Sequence, residues 1–131
     1  MQILQPPGWA KPKGFSNGIA VRGGKTVYIA GQIGCNAQGR FVEKTFQGQF
    51  RQTLMNILAV LAEAGGRPEH TVRMTWYVID KQEYLGALKD VGAAYRELMG
   101  RHYPVMAVVQ VTGLVEPEAR LEIEATAVVP D

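Results

Sequence analysis

The fold is decided by Tyr103-Pro104-Val105-Met106-Ala107-Val108-Val109-Gln110-Val111 and, after a turn through Gly113 and Pro117, by Leu121-Glu122-Ile123-Glu124-Ala125-Thr126-Ala127-Val128-Val129. Both runs are rich in Val or other strand-forming residues and are bounded by turn residues. This pattern predicts two strands joined as an antiparallel hairpin with a long loop.

The two runs differ in which faces are apolar. Because side chains of a strand alternate between faces, the second run has one apolar face and one face carrying Glu122 and Glu124. The first run is apolar on both faces, and such a strand is usually covered on both. A chain of 131 residues has few helices to provide that cover. We therefore expect another copy of the chain to cover the second face.

Two helices are predicted from apolar residues repeating at helical spacing. The first has Thr45 as N-cap and stops at Gly65-Gly66. Its apolar stripe consists of Phe46, Phe50, Leu54, Ile57, Leu58 and Leu61. The second is expected from Asp80 to about Gly100, with the stripe Tyr84, Leu88, Val91, Tyr95 and Leu98.

The rest of the chain supplies more strands. The prolines within Met1–Lys13 predict an irregular N-terminal arm over 1–13, pinned to the body by Trp9. Strands are predicted at Ile19–Arg22 and Thr26–Gln32, joined as a hairpin at Gly23-Gly24-Lys25, with another strand at Thr71–Ile79. The fold class is thus α+β, a mostly antiparallel sheet with two helices on one face.

Composition narrows the functional classes. At 131 residues the chain is predicted to be a single domain, 1–131. Its net charge of +2 is dispersed, which argues against nucleic acid as a partner. No apolar run or N-terminal signal pattern predicts a membrane segment or export. Cys35 is the only cysteine, so no internal disulfide is possible and the cytoplasm is the expected compartment. With His70 and His102 far apart, no metal site is predicted.

The chain resembles the Rid family, the YjgF-type reactive-intermediate deaminases. The resemblance rests on the order of elements, on Ala30-Gly31-Gln32-Ile33, on the strand that Pro104 begins and on Glu122-Ile123-Glu124-Ala125. It covers about residues 14 to 129. It implies a chorismate-mutase-like fold and a homotrimer whose sheets form an inner barrel, with small-molecule clefts between subunits. Such proteins hydrolyse enamines and imines to a keto acid and ammonia, without metal or cofactor.

The resemblance also assigns site residues. The glutamate that positions water falls on Glu122, an aromatic residue lining the cleft falls on Phe15, and the backbone around Gly31 lines it as well. An arginine two positions after the proline holds the substrate carboxylate in active members, and here that position is Met106. A thioether cannot pair with a carboxylate. A polar position of the second helix, often asparagine, falls on Gly92.

These departures leave alternatives open. The chain resembles a branch that lacks the arginine, so hydrolysis of an imine or enamine other than the simple 2-imino acids is expected. Met106 is either an apolar wall of the cleft or core filling, and Arg120 is a candidate replacement cation, slightly ahead of Arg101 and His102. A metabolite-binding or regulatory trimer without catalysis is the competing hypothesis. Endoribonuclease activity is the weaker one.

Overall fold

The computed structural model describes residues 1–131 as one α+β unit with two sheets and three helices. The strands are β1 Gln2–Leu4, β2 Gly18–Ala20, β3 Lys25–Ile33, β4 Thr71–Val78, β5 Val105–Gln110 and β6 Leu121–Val129. The helices are α1 Phe46–Glu63, α2 Lys81–Gly86 and α3 Leu88–Met99, with a 3-10 turn at Pro68–His70. No helix is long and apolar enough to cross a membrane.

The main sheet has the order β3-β6-β4-β5. β6 pairs antiparallel with both β3 and β4, whereas β4 and β5 run parallel with Met74 opposite Met106. The predicted terminal hairpin is therefore wrong, because β4 lies between β5 and β6. The segment between them, residues 111–120, is long enough to pass this strand, and a strand's own pattern does not specify its neighbour.

The predicted hairpin between the first two strands is also wrong. β2 pairs with β1 in a separate two-stranded sheet, in which Ile3 lies opposite Ile19. Gly23 and Gly24 do make a turn with positive φ, but it leads from one sheet into the other. The arm predicted over 1–13 is thus not wholly irregular, because residues 2–4 precede the first proline and keep their ladder donors. Trp9 does not pin the arm, since it is 63% exposed.

The helices cover one face of the main sheet. The α1 stripe is confirmed, with Phe50, Leu54, Ile57 and Leu61 fully buried and the Thr45 side chain accepting from the Gly48 N–H. The second helix is corrected to two, α2 and α3. Asp80 caps the start of α2, and the chain leaves helical angles at Ala87, just after Gly86, a poor helix former.

The core lies between these helices and the inner face of the sheet. β6 contributes the whole predicted apolar face, namely Leu121, Ile123, Ala125, Ala127 and Val129, all buried. The outer face carries a mixture of polar and apolar groups, such as Tyr28 at 81% exposure, Glu124 and Val109. The fold class of an α+β single domain is confirmed. Its sheet is mixed and its helices number three.

Candidate functional site

The N-terminal segment is anchored along the free edge of β5. The Ser16 N–H donates to the carbonyl of Pro104 at 3.1 Å, and the Ser16 hydroxyl donates to the carbonyl of Tyr103 at 2.6 Å. Ser16 also forms a parallel bridge with Val105. Because these bonds fix Ser16, the preceding Phe15 is held beside Met106, and both side chains line a common cavity.

This cavity has a volume of about 570 Å³ and lies between α3 and the inner face of β5. That volume is within the ~300–1,000 Å³ typical of small-molecule sites. Its lining is mainly apolar and rich in aromatic rings. The lining residues are Lys13, Gly14, Phe15, Trp76, Tyr84, Leu88, Val91, Gly92, Tyr95, Arg96, Tyr103, Met106 and Val108. Met106 therefore forms part of a cavity wall and also packs against the core.

The aromatic side chains of the cavity wall are held by contacts with one another and with the backbone. The rings of Tyr95 and Tyr103 stack with centroids 5.5 Å apart and planes 7° apart, and the Tyr95 hydroxyl donates to the His102 carbonyl. Burial raises the pKa of Tyr95 well above its usual value, so this side chain stays a neutral phenol. The indole N–H of Trp76, in the same wall, is buried without an acceptor.

Two charged side chains line the cavity, those of Lys13 and Arg96, and both are cations. No carboxylate lines it. Neither cation is ion-paired or hydrogen-bonded through its side chain. Sequence reasoning missed Arg96. The available signal was its spacing from Val91 and Gly92, which places it on the same side of α3.

Glu122 and Gly31 meet on the outer face of the sheet. Glu122 lies opposite Ile33 of β3 and Tyr77 of β4, next to the irregular pairing between Ile29 and Gln32. A Cβ atom placed on Gly31 would be 2.3 Å from the Glu122 Oε1 and 2.9 Å from its Cδ. The carboxylate therefore lies directly over the glycine backbone, a position that any side chain on residue 31 would occupy.

The neighbouring carboxylate of Glu124 is held by Tyr77. The phenol donates to the Glu124 Oε1 at 2.6 Å. This hydrogen bond is the main reason that the pKa of Tyr77 is raised, with burial and the charges of Glu124 and Glu122 adding to it and Arg73 opposing it. The Glu122 carboxylate makes no hydrogen bond within the chain. Of the two glutamates, Glu122 is thus the one whose oxygens are available to bind water or a ligand.

Arg120, the predicted replacement cation, lies elsewhere. Its guanidinium pairs with Glu83 at 3.0 Å, and its backbone N–H donates to the Gln49 Oε1 at 2.8 Å. It lines neither the cavity of Phe15 and Met106 nor the outer-face groove beside Glu124. Arg120 is held where a carboxylate already neutralises it, which the sequence could not show because Glu83 is far away along the chain.

Within one chain the predicted site residues other than Arg120 form two separate groups. Phe15 and Met106 lie at the β5 edge on the helix side, whereas Gly31 and Glu122 lie on the outer face, beyond β4. No three His, Cys, Asp or Glu side chains come together in a set that could hold a metal ion. A single site that uses both groups would require two copies of the chain.

Fold and cavity together define a small α+β domain with a mainly apolar cavity at a sheet edge, whose charged lining residues are cations. The model of the Endoribonuclease L-PSP family matches residues 10–129. The chain is 34% identical to the 2-iminobutanoate/2-iminopropanoate deaminase of Capra hircus, over 79% of this chain and 73% of the relative. It is 30% identical to the putative reactive intermediate deaminase TdcF of Escherichia coli K12, over 80% of each.

A solved structure agrees with these sequence matches. A protein of unknown function of the Rid family from Yersinia pestis superposes with a TM-score of 0.84 at 32% identity, covering 98% of both chains. The chain belongs to the Rid family, also described as Endoribonuclease L-PSP. The resemblance found in the sequence is thereby confirmed.

Proposed function

We propose that this protein is a cofactor-independent deaminase that hydrolyses the C=N bond of an imine, or of its enamine tautomer, in clefts between the subunits of a homotrimer. The observation that supports it most is the free carboxylate of Glu122 lying over Gly31. The names of the goat and Escherichia coli relatives point to the same chemistry. The unpaired Cys35 fits a reducing cytoplasm.

The trimer is proposed because one chain separates its two groups of site residues. Gly31 and Glu122 of one copy would face Phe15 and Met106 of the next, so that the cavity supplies the binding surface and the carboxylate supplies the chemistry. Sedimentation equilibrium tests this arrangement. A particle of three chains is expected, and a stable monomer that turns over imines would contradict it.

In the proposed reaction Glu122 orients a water molecule and takes one of its protons as the oxygen adds to the imine carbon. Glu122 passes that proton to the imine nitrogen, which gives a carbinolamine with a hydroxyl and an amino group on one carbon. Glu122 then takes the hydroxyl proton as the carbonyl forms and delivers it to the amino nitrogen, so that the C–N bond breaks and ammonia leaves. The net change is an imine plus water giving a carbonyl compound plus ammonia.

Met106 supports a substrate other than 2-iminopropanoate or 2-iminobutanoate. In a small 2-imino acid most of the binding energy comes from the carboxylate, and a thioether offers it no charge-assisted hydrogen bond. An apolar wall favours a larger apolar substituent instead. Robust turnover of the two small imines would contradict this part of the proposal.

The test of the reaction compares two neighbouring glutamates. Glu122→Gln is expected to lower kcat/KM for imine hydrolysis at least 100-fold, because an amide cannot accept the proton. Glu124→Gln, the matched control on the same face, should stay within a few fold since Tyr77 already occupies that carboxylate. Ammonia release from imines generated in situ measures both. Equal activity of Glu122→Gln and wild type would refute the assignment.

A metabolite-binding or regulatory trimer is the second candidate, and the loss of a carboxylate partner at Met106 favours it. It predicts ligand binding without turnover and with the same affinity in Glu122→Gln. Endoribonuclease activity has only the family description and the names of some solved relatives in its favour. It predicts RNA affinity that falls steeply with salt, and a preparation that neither binds nor cleaves RNA would exclude it.

A further inference from the structure

One side of α3 faces the cavity and carries a cation that is not paired. Leu88, Val91, Gly92, Tyr95 and Arg96 all line the cavity, with the spacing of one helix face. The acidic residues of the helix lie on another side. Asp90 and Glu97 border a separate depression together with Arg51, which pairs with Glu97. The carboxylates of α3 are thus directed away from Arg96.

The guanidinium of Arg96 lies beside Gly92, one turn earlier in α3. A Cβ on Gly92 would lie 3.5 Å from the Arg96 Nη1, which is an ordinary van der Waals contact, so alanine would also fit here. A larger polar side chain at position 92 would project into the space that the guanidinium uses. Arg96 therefore reaches the part of the cavity wall that such a side chain would otherwise line.

Arg96 and Met106 line the same cavity from opposite walls, the helix and the sheet. We infer that Arg96 binds the anionic group of the ligand in this cavity, and that the ligand is a carboxylate with an aromatic or bulky apolar body. This inference rests on the proposed function and names its substrate class: 2-imino acids whose side chain is large and apolar.

The chemistry of the lining supports this class. A guanidinium can bind both oxygens of a carboxylate, and no acidic group in the lining competes for it. Five aromatic side chains, those of Phe15, Trp76, Tyr84, Tyr95 and Tyr103, line the cavity, and an aromatic lining suits an apolar body. A cavity of about 570 Å³ would leave a small imino acid loosely held, whereas a phenyl-bearing acid can contact the sheet and helix walls together.

The experiment measures binding by calorimetry with three probes: 3-phenylpropanoate, its neutral isostere 3-phenylpropanamide, and propanoate. Arg96→Met removes the charge and keeps a good helix former. The matched control is Arg101→Met, which removes an equal charge from an exposed residue just beyond α3 that does not line the cavity.

Wild type is expected to bind 3-phenylpropanoate more tightly than the amide and far more tightly than propanoate. Arg96→Met should lose about 10-fold in affinity for 3-phenylpropanoate, the lower end of what a charge-assisted hydrogen bond contributes, because Arg96 is solvent-exposed. Its affinity for the amide should change less than twofold. Arg101→Met should match wild type with all three probes.

Three results would overturn the inference: equal affinity of wild type and Arg96→Met for the acid, equal affinity of wild type for acid and amide, or binding of neither phenyl probe. The outcome is separable from the reaction. Charge-selective binding that depends on Arg96, with turnover indifferent to Glu122→Gln, would retain the carboxylate site and reject the hydrolase mechanism. Turnover that depends on Glu122 but not on Arg96 would retain the hydrolase mechanism and reject the carboxylate site at Arg96.

Discussion

Gly31→Ala tests whether the position of the Glu122 carboxylate matters to function. The new methyl group would stand 2.3 Å from the Glu122 Oε1, while ordinary contacts begin at about 3.4 Å. The carboxylate must therefore move by about 1 Å. It can do so cheaply, because the nearest atoms are the far end of a flexible side chain, and Gly31 does not have a positive φ that alanine would resist.

The expected result is a loss of activity without a loss of stability. A displacement of 1 Å at a group that positions water can cost ~100-fold in rate, or about 2.7 kcal/mol of activation free energy. Alanine in an accessible backbone conformation changes the free energy of unfolding by ~1 kcal/mol or less. We expect kcat for imine hydrolysis to fall about 100-fold while the thermal midpoint stays within a few degrees of wild type.

Two glycines provide controls for this experiment. Gly113→Ala meets no atom within 4 Å and should leave both kcat and the thermal midpoint unchanged. Gly34→Ala would press against the Gln49 Cα at 2.9 Å, which is backbone, so it should lower stability. If Gly31→Ala keeps full activity, the carboxylate position above Gly31 is not the catalytic one. If it unfolds the protein instead, the reasoning about flexible displacement is wrong.

Two further predictions concern stability. Gln49→Ala should lower the free energy of unfolding by about 2–4 kcal/mol in urea titrations, because this 2% exposed side chain hydrogen-bonds the carbonyls of Glu43 and Glu118 and the N–H of Arg120. The control, Gln47→Ala at an exposed position, should leave the free energy of unfolding almost unchanged. Equal losses of stability in the two variants would contradict this explanation. The pKa of Tyr95 is higher in the folded than in the unfolded protein, so its contribution is fully present below the ordinary tyrosine pKa of ~10 and is lost at higher pH. Urea unfolding at about pH 8 and pH 11 should show a steeper alkaline loss for wild type than for Tyr95→Phe, and parallel losses would refute the link.

The helix caps and buried faces could be predicted from the sequence because they are local properties. Thr45 and Asp80 begin helices through hydrogen bonds to residues two or three positions later. The alternation from Leu121 to Val129 is a property of one strand and specified its buried face directly. The break at Ala87 was not predicted, since the apolar spacing continues through it.

The candidate site was only partly accessible to sequence reasoning. Glu122, Gly31, Phe15 and Met106 were assigned through family resemblance. Only the tertiary structure shows that Glu122 lies over Gly31 and that Phe15 is held at the β5 edge through Ser16. Arg96 escaped notice because an exposed arginine in a helix is ordinary in sequence, and its importance depends on what surrounds it.

By itself the sequence determined the α+β class, the family and the faces that are buried. It also determined that Met106 stands at the position where active family members have an arginine. The tertiary structure alone decided that β4 separates β5 from β6, that Arg120 is paired with Glu83, and that Arg96 borders the cavity beside Gly92. The physical reason is the separation along the chain over which each kind of interaction acts. Periodicity and capping act within a few residues, whereas strand order and the surroundings of a charge depend on contacts between segments far apart in the chain.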